Sequence, residues 1–168
     1  AKNLNTLLRV INDQHIGGLL FWDGNIKDQA ELTNAAQAAS KVPLFITMDG
    51  EWGLSMRLKD GLRYPKKTSL AALNNDSLIY QLGYEIGRQC NEMRINVNFD
   101  PVLDVNLNPN NPVINTRSFG DNPEDVSLKA TLFYKGLQNK SVLAVGKHFP
   151  GHGDTSQDSH EELAVVKH

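Results

Sequence analysis

Short apolar runs alternate with longer stretches of helical period along this chain, and that alternation leaves few folds open. Leu4, Leu7, Leu8 and Ile11 fall at i, i+3, i+4 and i+7, one face of an amphipathic helix, and Gly17-Gly18 stop it before the run Leu19-Leu20-Phe21-Trp22. That run reads as a buried strand. After the turn Asp23-Gly24-Asn25, the Ala-rich stretch 27–40 reads as helix, and Pro43 opens a second apolar run, 44–48. Leu78, Ile79, Leu82, Ile86 and Met93 repeat at helical spacing within 76–94. A period-two stretch, 96–100, then predicts a third strand that resumes at 102–105. Asn122 as N-cap, Pro123 at the first helical position and Glu124 and Asp125 in the first turn start a helix running to about Asn139, and 141–147 is a fourth strand. Four strands joined by helical crossovers predict a parallel sheet with right-handed connections, each strand covered on both faces.

An open doubly wound sheet and an arc of a closed (β/α)8 barrel both satisfy this pattern. The chain has 168 residues, whereas a complete barrel of that kind takes about 250. The expectation is therefore α/β: one domain, 1–168, holding about four parallel strands with alternating helices, a partial TIM barrel if the sheet is a barrel at all. Seventeen Lys and Arg stand against 19 Asp and Glu, without any long run of one sign, which argues against nucleic acid and anionic membrane as partners. The single Cys90 excludes an internal disulfide and a multi-cysteine zinc knuckle. The first 20 residues hold Asn, Arg, Asp, Gln and His, so neither a signal h-region nor a membrane span is read there. The chain opens on Ala1 rather than Met, which leaves room for a removed leader.

Polar residues recur just after the strands: Asp23, then Asp49 and Glu51, then Asp100 or Asp104, then Lys147-His148. In parallel α/β folds that edge binds ligands. The segment 106–120 is dense in Asn and Pro and reads as a long irregular loop of the kind retained for function. The densest cluster is 147–154 followed by Asp158-Ser159-His160, with three of the five histidines inside thirteen residues. Three readings of it stay open. It is a polar surface loop, or a divalent-metal site using His148, His152, Asp158 and His160, or a dyad in which Asp158 fixes the tautomer of His160 and His160 exchanges a proton.

The run Lys147-His148-Phe149-Pro150-Gly151-His152-Gly153, followed after four residues by Asp158-Ser159-His160, resembles the signature loop of the NagZ-type β-N-acetylglucosaminidases of glycoside hydrolase family 3. The resemblance continues through Gly17-Gly18-Leu19-Leu20-Phe21, Asp49-Gly50-Glu51-Trp52-Gly53 with Arg57, Phe99-Asp100-Pro101-Val102-Leu103-Asp104-Val105, and Asn115-Thr116-Arg117-Ser118-Phe119. It implies a (β/α)8 barrel that removes terminal N-acetylglucosamine with retention, through a covalent intermediate, without a cofactor or metal. His160 would be the acid/base and Asp158 its partner, where other retaining glycosidases use two carboxylates. Asp49, Arg117, Lys147 and His148 would hold the sugar, with Arg57 beside Asp49. Arg57 and Arg117 also fit as ion-pair partners that stabilise loops.

The implied partner is a GlcNAc-containing saccharide, peptidoglycan-derived or other, and the implied source is bacterial. Oligomeric state and compartment, cytoplasmic or exported, stay open. Trp52 stands where that family commonly has Gly, lining the sugar site or filling the core. The loop 106–115 is longer and richer in Asn than in compact bacterial forms. The resemblance also puts the nucleophilic Asp beyond His168 and one barrel strand before Ala1, so these residues alone are expected to show no turnover. Sugar transfer to phosphate instead of water, a metal-dependent hydrolase and a sugar-binding module are the alternatives. Gly151 and Gly153 flank His152, and the stretch from there to His160, without helical or strand pattern, is expected to be mobile over 154–160 and to close over bound sugar.

Overall fold

The computed structural model describes residues 4–73 and 75–166. Its helices are α1 (Leu4–Gln14), α2 (Ile26–Ala39), α3 (Lys67–Ala71), α4 (Asp76–Glu92) and α5 (Pro123–Gln138), and its strands are β1 (Gly18–Phe21), β2 (Phe45–Met48), β3 (Val97–Asn98) and β4 (Leu143–Ala144). Short 3-10 turns occupy Leu54–Met56 and Asn115–Arg117. The helix starts are chemical. Asn25 accepts the Asp28 amide at 2.8 Å and Asn122 accepts the Asp125 amide at 3.0 Å, each satisfying a donor that the first turn leaves orphaned. Ile79, Leu82, Ile86 and Cys90 form the buried stripe of α4. That stripe faces α5 so closely that a Cβ on Gly83 would sit 2.1 Å from the Phe133 carbonyl oxygen.

All four strands are parallel, in the order β1-β2-β3-β4, with Leu20, Thr47, Val97 and Leu143 in one row across the sheet. A doubly wound sheet reverses its order at a switch point. This one does not, so the sheet is an arc of a (β/α)8 barrel, left open within the described residues.

Two expectations need correction. Among the described residues the strands are covered on one face only. Ile46 and Met48 are fully buried against α4 and α5 residues such as Ile79, Ile86, Phe133 and Leu137. On the opposite row Leu20 is 50%, Phe45 55% and Leu143 52% exposed. Side chains alternate between the faces of a strand, and in a barrel the inner face is as apolar as the outer one. An apolar run therefore cannot report that its second face has no layer above it. The third strand is also shorter than its pattern. Asp100 N turns back to Asn98 O at 2.9 Å, Pro101 brings no N–H to a ladder, and beyond them only Val102 bridges to Lys147.

Candidate active site

The sheet's C-terminal edge gathers charges that lie far apart in the sequence. Asp49, the first residue after β2, accepts from Arg57 Nη2 on Oδ2 and from Lys147 Nζ on Oδ1, both at 2.7 Å. Lys147, three residues past β4, also reaches Glu51 Oε1 at 2.8 Å. Arg117, in the 3-10 turn of the long loop, grips the same carboxylate with both ends of its fork, Nε to Oε2 at 2.9 Å and Nη2 to Oε1 at 2.7 Å. The result is an alternating chain, Arg57, Asp49, Lys147, Glu51, Arg117. Burial works to raise the Glu51 carboxyl, but Arg117 and Lys147 outweigh it and hold it at about 2. Burial likewise opposes ionisation of Asp49, and Lys147 and Arg57 overcome it, leaving the carboxyl below its ordinary range. Both acids are acceptors only at neutral pH.

A second polar unit adjoins the first. Burial pushes the Asp104 carboxyl up, and the His148 ring with the His152 and His148 amides pull it down further, so it is ionised. His148 Nδ1 lies 2.5 Å from Asp104 Oδ2, and His152 N donates to Oδ1 at 2.7 Å. A carboxylate only accepts, so His148 carries its proton on Nδ1. Its Nε2 then faces Arg117 Nη2, a donor, at 3.4 Å. A hollow of about 380 Å³ opens beside Asp104 and His148, between Leu103, Val105 and Leu107 on one side and 149–154 on the other. Asp49, Glu51 and Arg117 do not line it.

Counting donors shows what the cluster offers a ligand. Lys147 has three N–H groups and gives two, to Asp49 and Glu51. Arg117 gives its Nη1 to Val113 O at 3.2 Å and keeps one N–H there unassigned among the described residues. Asp49 uses one lone pair on each oxygen. Spare donors beside spare carboxylate acceptors are what a polyhydroxylated, uncharged ligand requires.

Among the residues the sequence proposed, Asp49, Arg57, Arg117, Lys147 and His148 are brought together. Arg57 and Arg117 are held in ion pairs at the site itself, which joins the two readings of them. Asp158 and His160 contact each other, His160 Nδ1 at 2.7 Å and His160 N at 2.9 Å from Asp158 Oδ1. The His160 backbone amide, then its ring, hold Asp158 below the ordinary carboxylate range. The His160 side chain is 80% exposed and bonds Asp158 alone among the described residues.

The Asn-rich loop has a visible task. Asn111 Nδ2 donates to His152 O at 2.6 Å and Asn108 Nδ2 to Thr155 O at 2.9 Å, pinning the chain as far as Thr155. Gly153 is required there, since a Cβ would lie 1.7 Å from Val105 O. The metal reading gains no geometric support: His148, His152 and His160 aim Nδ1 at Asp104, Thr155 and Asp158 respectively, and among the described residues no three His, Cys, Asp or Glu converge as ligands. Glu51 and Asp104 were seen in the sequence only as polar residues at strand ends, and their place at the centre of the site was missed. Their signal is position: each follows a strand at the binding edge. Trp52 neither fills the core nor stands open. Partly exposed, it packs its ring against Lys66 Nζ at 2.9 Å.

The sequence model described as "Glycosyl hydrolase family 3 N terminal domain" matches residues 2–168. Beta-hexosaminidase A of Pseudoalteromonas piscicida is 39% identical over 96% of this chain and 29% of its own length. A crystal structure of NagZ from Neisseria gonorrhoeae, in complex with N-trifluoroacetyl-D-glucosamine, is 32% identical with a TM-score of 0.85, covering 94% of this chain and 49% of that one. A beta-glucoside phosphorylase, BglX, bound to 2FGlc, is 31% identical with a TM-score of 0.83, covering 86% of this chain and 26% of that one. The chain spans 26% to 47% of the length of eight curated relatives that it matches.

Proposed function

This chain belongs to glycosyl hydrolase family 3, whose N-terminal domain it matches, and on that premise we propose that the intact protein hydrolyses terminal β-linked N-acetylglucosamine with retention. The observation that carries the reading is the pairing of an uncharged-ligand cluster, Asp49, Glu51, Arg117 and Lys147, with a separate Asp158–His160 proton relay. Asp49 takes two sugar hydroxyl protons, and Lys147 and Arg117 give their spare N–H groups to sugar or amide oxygens. Asp158 accepts His160 Nδ1–H, which leaves Nε2 to exchange the proton.

In the first step a carboxylate outside residues 1–168 bonds the anomeric carbon as the glycosidic C–O bond breaks, and His160 gives Nε2–H to the leaving oxygen. In the second, water passes a proton back to His160, its oxygen bonds the anomeric carbon, and the carboxylate departs. Because Thr155 is pinned and His160 is exposed, the stretch 156–160 carries the dyad onto the bound sugar. Residues 1–168 alone then hold binding groups and a proton donor without the nucleophile, and are expected to turn nothing over.

Release of free GlcNAc from unactivated β-GlcNAc glycosides, at a rate independent of inorganic phosphate, is the expected result. The likeness to a phosphorylase supports a second reading. Sugar 1-phosphate as the phosphate-dependent product would establish it and displace hydrolysis.

Glu51 touches no substrate in this scheme and acts through Lys147 and Arg117. Glu51→Gln keeps the shape but gives the amide nitrogen to one of two cations that both need an acceptor, so one donor swings away. Misplacement of about 1 Å costs about 10²-fold. We expect kcat/KM to fall by about 10- to 10²-fold, with His160-dependent proton transfer intact in the pH profile. Wild-type kcat/KM in this variant would remove Glu51 from the site.

A further inference from the structure

Asp49 and Glu51 flank Gly50, and Lys147 bridges their carboxylates at 2.7 and 2.8 Å. One ammonium serves two carboxylates only where their spacing is set, and the backbone between them sets it. That backbone is held by Asn98. The residue ends β3, pairs in register with Met48 on the helix-covered face of the sheet, and is fully buried. Gly50 N donates to Asn98 Oδ1 at 2.8 Å, and Asn98 Nδ2 donates to Gly50 O at 3.5 Å. The N–H belongs to the peptide joining Gly50 to Asp49 and the carbonyl to the peptide joining it to Glu51, so one side-chain amide grips both. Gly53 N also reaches Gly50 O, at 3.2 Å. The fit is close: a Cβ on Gly50 would lie 3.2 Å from Asn98 Oδ1. Asn96, just before β3, makes the same kind of bond at the opposite edge of the sheet, its Oδ1 accepting Ile46 N at 2.8 Å.

We propose that Asn98 is a positioning residue for the reaction: it fixes the Gly50 backbone, and with it the spacing of Asp49 and Glu51 that lets Lys147 hold both and turn its third N–H to the sugar. This rests on the reading of the Asp49 and Lys147 cluster as the sugar-holding part of a β-N-acetylglucosaminidase. Without Asn98 the buried Gly50 N–H loses its acceptor, and the segment moves to find another. Lys147 then follows one carboxylate and leaves the other. Asn96 supplies the comparison, since it ties the same two strands by the same chemistry away from the charges.

In the intact protein, Asn98→Ala should lower kcat/KM on an unactivated β-GlcNAc glycoside by about 10- to 10²-fold, the scale of a misplacement of up to about 1 Å. Asn96→Ala should lower the melting temperature and leave kcat/KM near wild type. Comparable kcat/KM losses in the two variants would make Asn98 only a strand support and overturn the proposal. Asn98→Asp keeps the shape and adds a titration. Protonated, its carboxyl accepts from Gly50 N and donates to Gly50 O as the amide does; ionised, it faces Gly50 O without a proton. Burial raises a carboxyl, so the ratio of this variant's kcat/KM to that of wild type should be near one at about pH 5 and about tenfold lower or more at about pH 8. The charged groups on the adjoining segments, Asp49, Glu51, Lys67, Asp100 and Lys147, are common to both proteins, so the ratio isolates the new carboxyl. A ratio flat in pH, or rising with it, overturns the proposal. Amide exchange reads the clamp without substrate. Gly50 N should lose protection by about tenfold in Asn98→Ala, while Phe99 N, bonded to Met48 O at 2.9 Å, keeps its own. Equal loss at both amides also overturns the proposal. Wild type that leaves β-GlcNAc glycosides uncleaved refutes the hydrolase instead. The two alanine variants are then compared by calorimetry with GlcNAc: weaker binding in Asn98→Ala alone keeps the positioning role, and equal affinities remove it.

Discussion

His160→Ala in the intact protein is expected to lower kcat on an unactivated GlcNAc glycoside by about 10²- to 10⁴-fold, the usual contribution of a positioned acid/base. The side chain is 80% exposed and its partner is local, so the substitution should leave thermal stability within about 0.5 kcal/mol of wild type. A glycoside with a good leaving group needs little protonation and should suffer much less in the glycosylation step. Equal losses on both, with glycosylation shown to limit each, would count against the acid role. Asp158→Asn should follow the same pattern less steeply. It keeps an acceptor for His160 N but can present its amide to Nδ1, which puts the proton of the neutral ring on Nε2, removes the lone pair that must take the proton back, and leaves no carboxylate to stabilise the doubly protonated ring that acts as the acid.

The contact between Asp158 and His160 was legible because it is local: one residue separates them, and the backbone delivers one to the other wherever the loop goes. The helix start at Asn122 was legible for the same reason, since a cap needs only three residues, whereas Asn25, read as part of a turn, caps α2, which starts one residue before the stretch read as helix. Asp49 and Lys147 are 98 positions apart, yet their strand-end positions placed both at one edge, and parallel pairing did the rest. What sequence could not give is who binds whom across strands. Glu51 finds Arg117 over 66 positions, and nothing in Asp-Gly-Glu-Trp-Gly says that its carboxylate faces inward rather than capping the turn. The open face of the sheet was illegible because barrel strands are apolar on both faces. Lys67 was the hardest residue to read. In Tyr-Pro-Lys-Lys-Thr it looks like solvated surface, and it is among the most buried side chains present.

That burial sets the second large effect. Lys67 Nζ lies 2.7 Å from Asp100 Oδ2 with both side chains at or below 2% exposure, over the Phe133 ring at 3.3 Å. Asp100 Oδ1 accepts Val102 N at 3.0 Å, at the start of the segment that carries Asp104 to His148. Burial raises the Asp100 carboxyl from 3.8 to about 6, with Lys67 opposing the rise, and burial lowers Lys67 against the pull of Asp100. Lys67→Met fills the space but strands the carboxylate, a loss of about 3–5 kcal/mol at neutral pH.

The sign of its pH dependence follows. Between 3.8 and about 6 the native state binds a proton at Asp100 that the unfolded chain has released, so this group's contribution to stability falls as pH rises. Without Lys67 the native carboxyl titrates higher still, and the fall continues past that range. The gap between wild type and Lys67→Met should therefore be small near pH 5, where Asp100 is protonated in both, and widest near pH 8. Urea midpoints of the intact protein at those two pH values measure it. Adding Asp100→Asn, which keeps an acceptor for Val102 N but carries no charge, should recover most of the loss at pH 8. A gap that ignores pH, or a double variant as unstable as the single one, would mean that Lys67 contributes packing rather than charge. The pair would then have no part in holding the Asp104 segment, and with it His148, in register with Arg117.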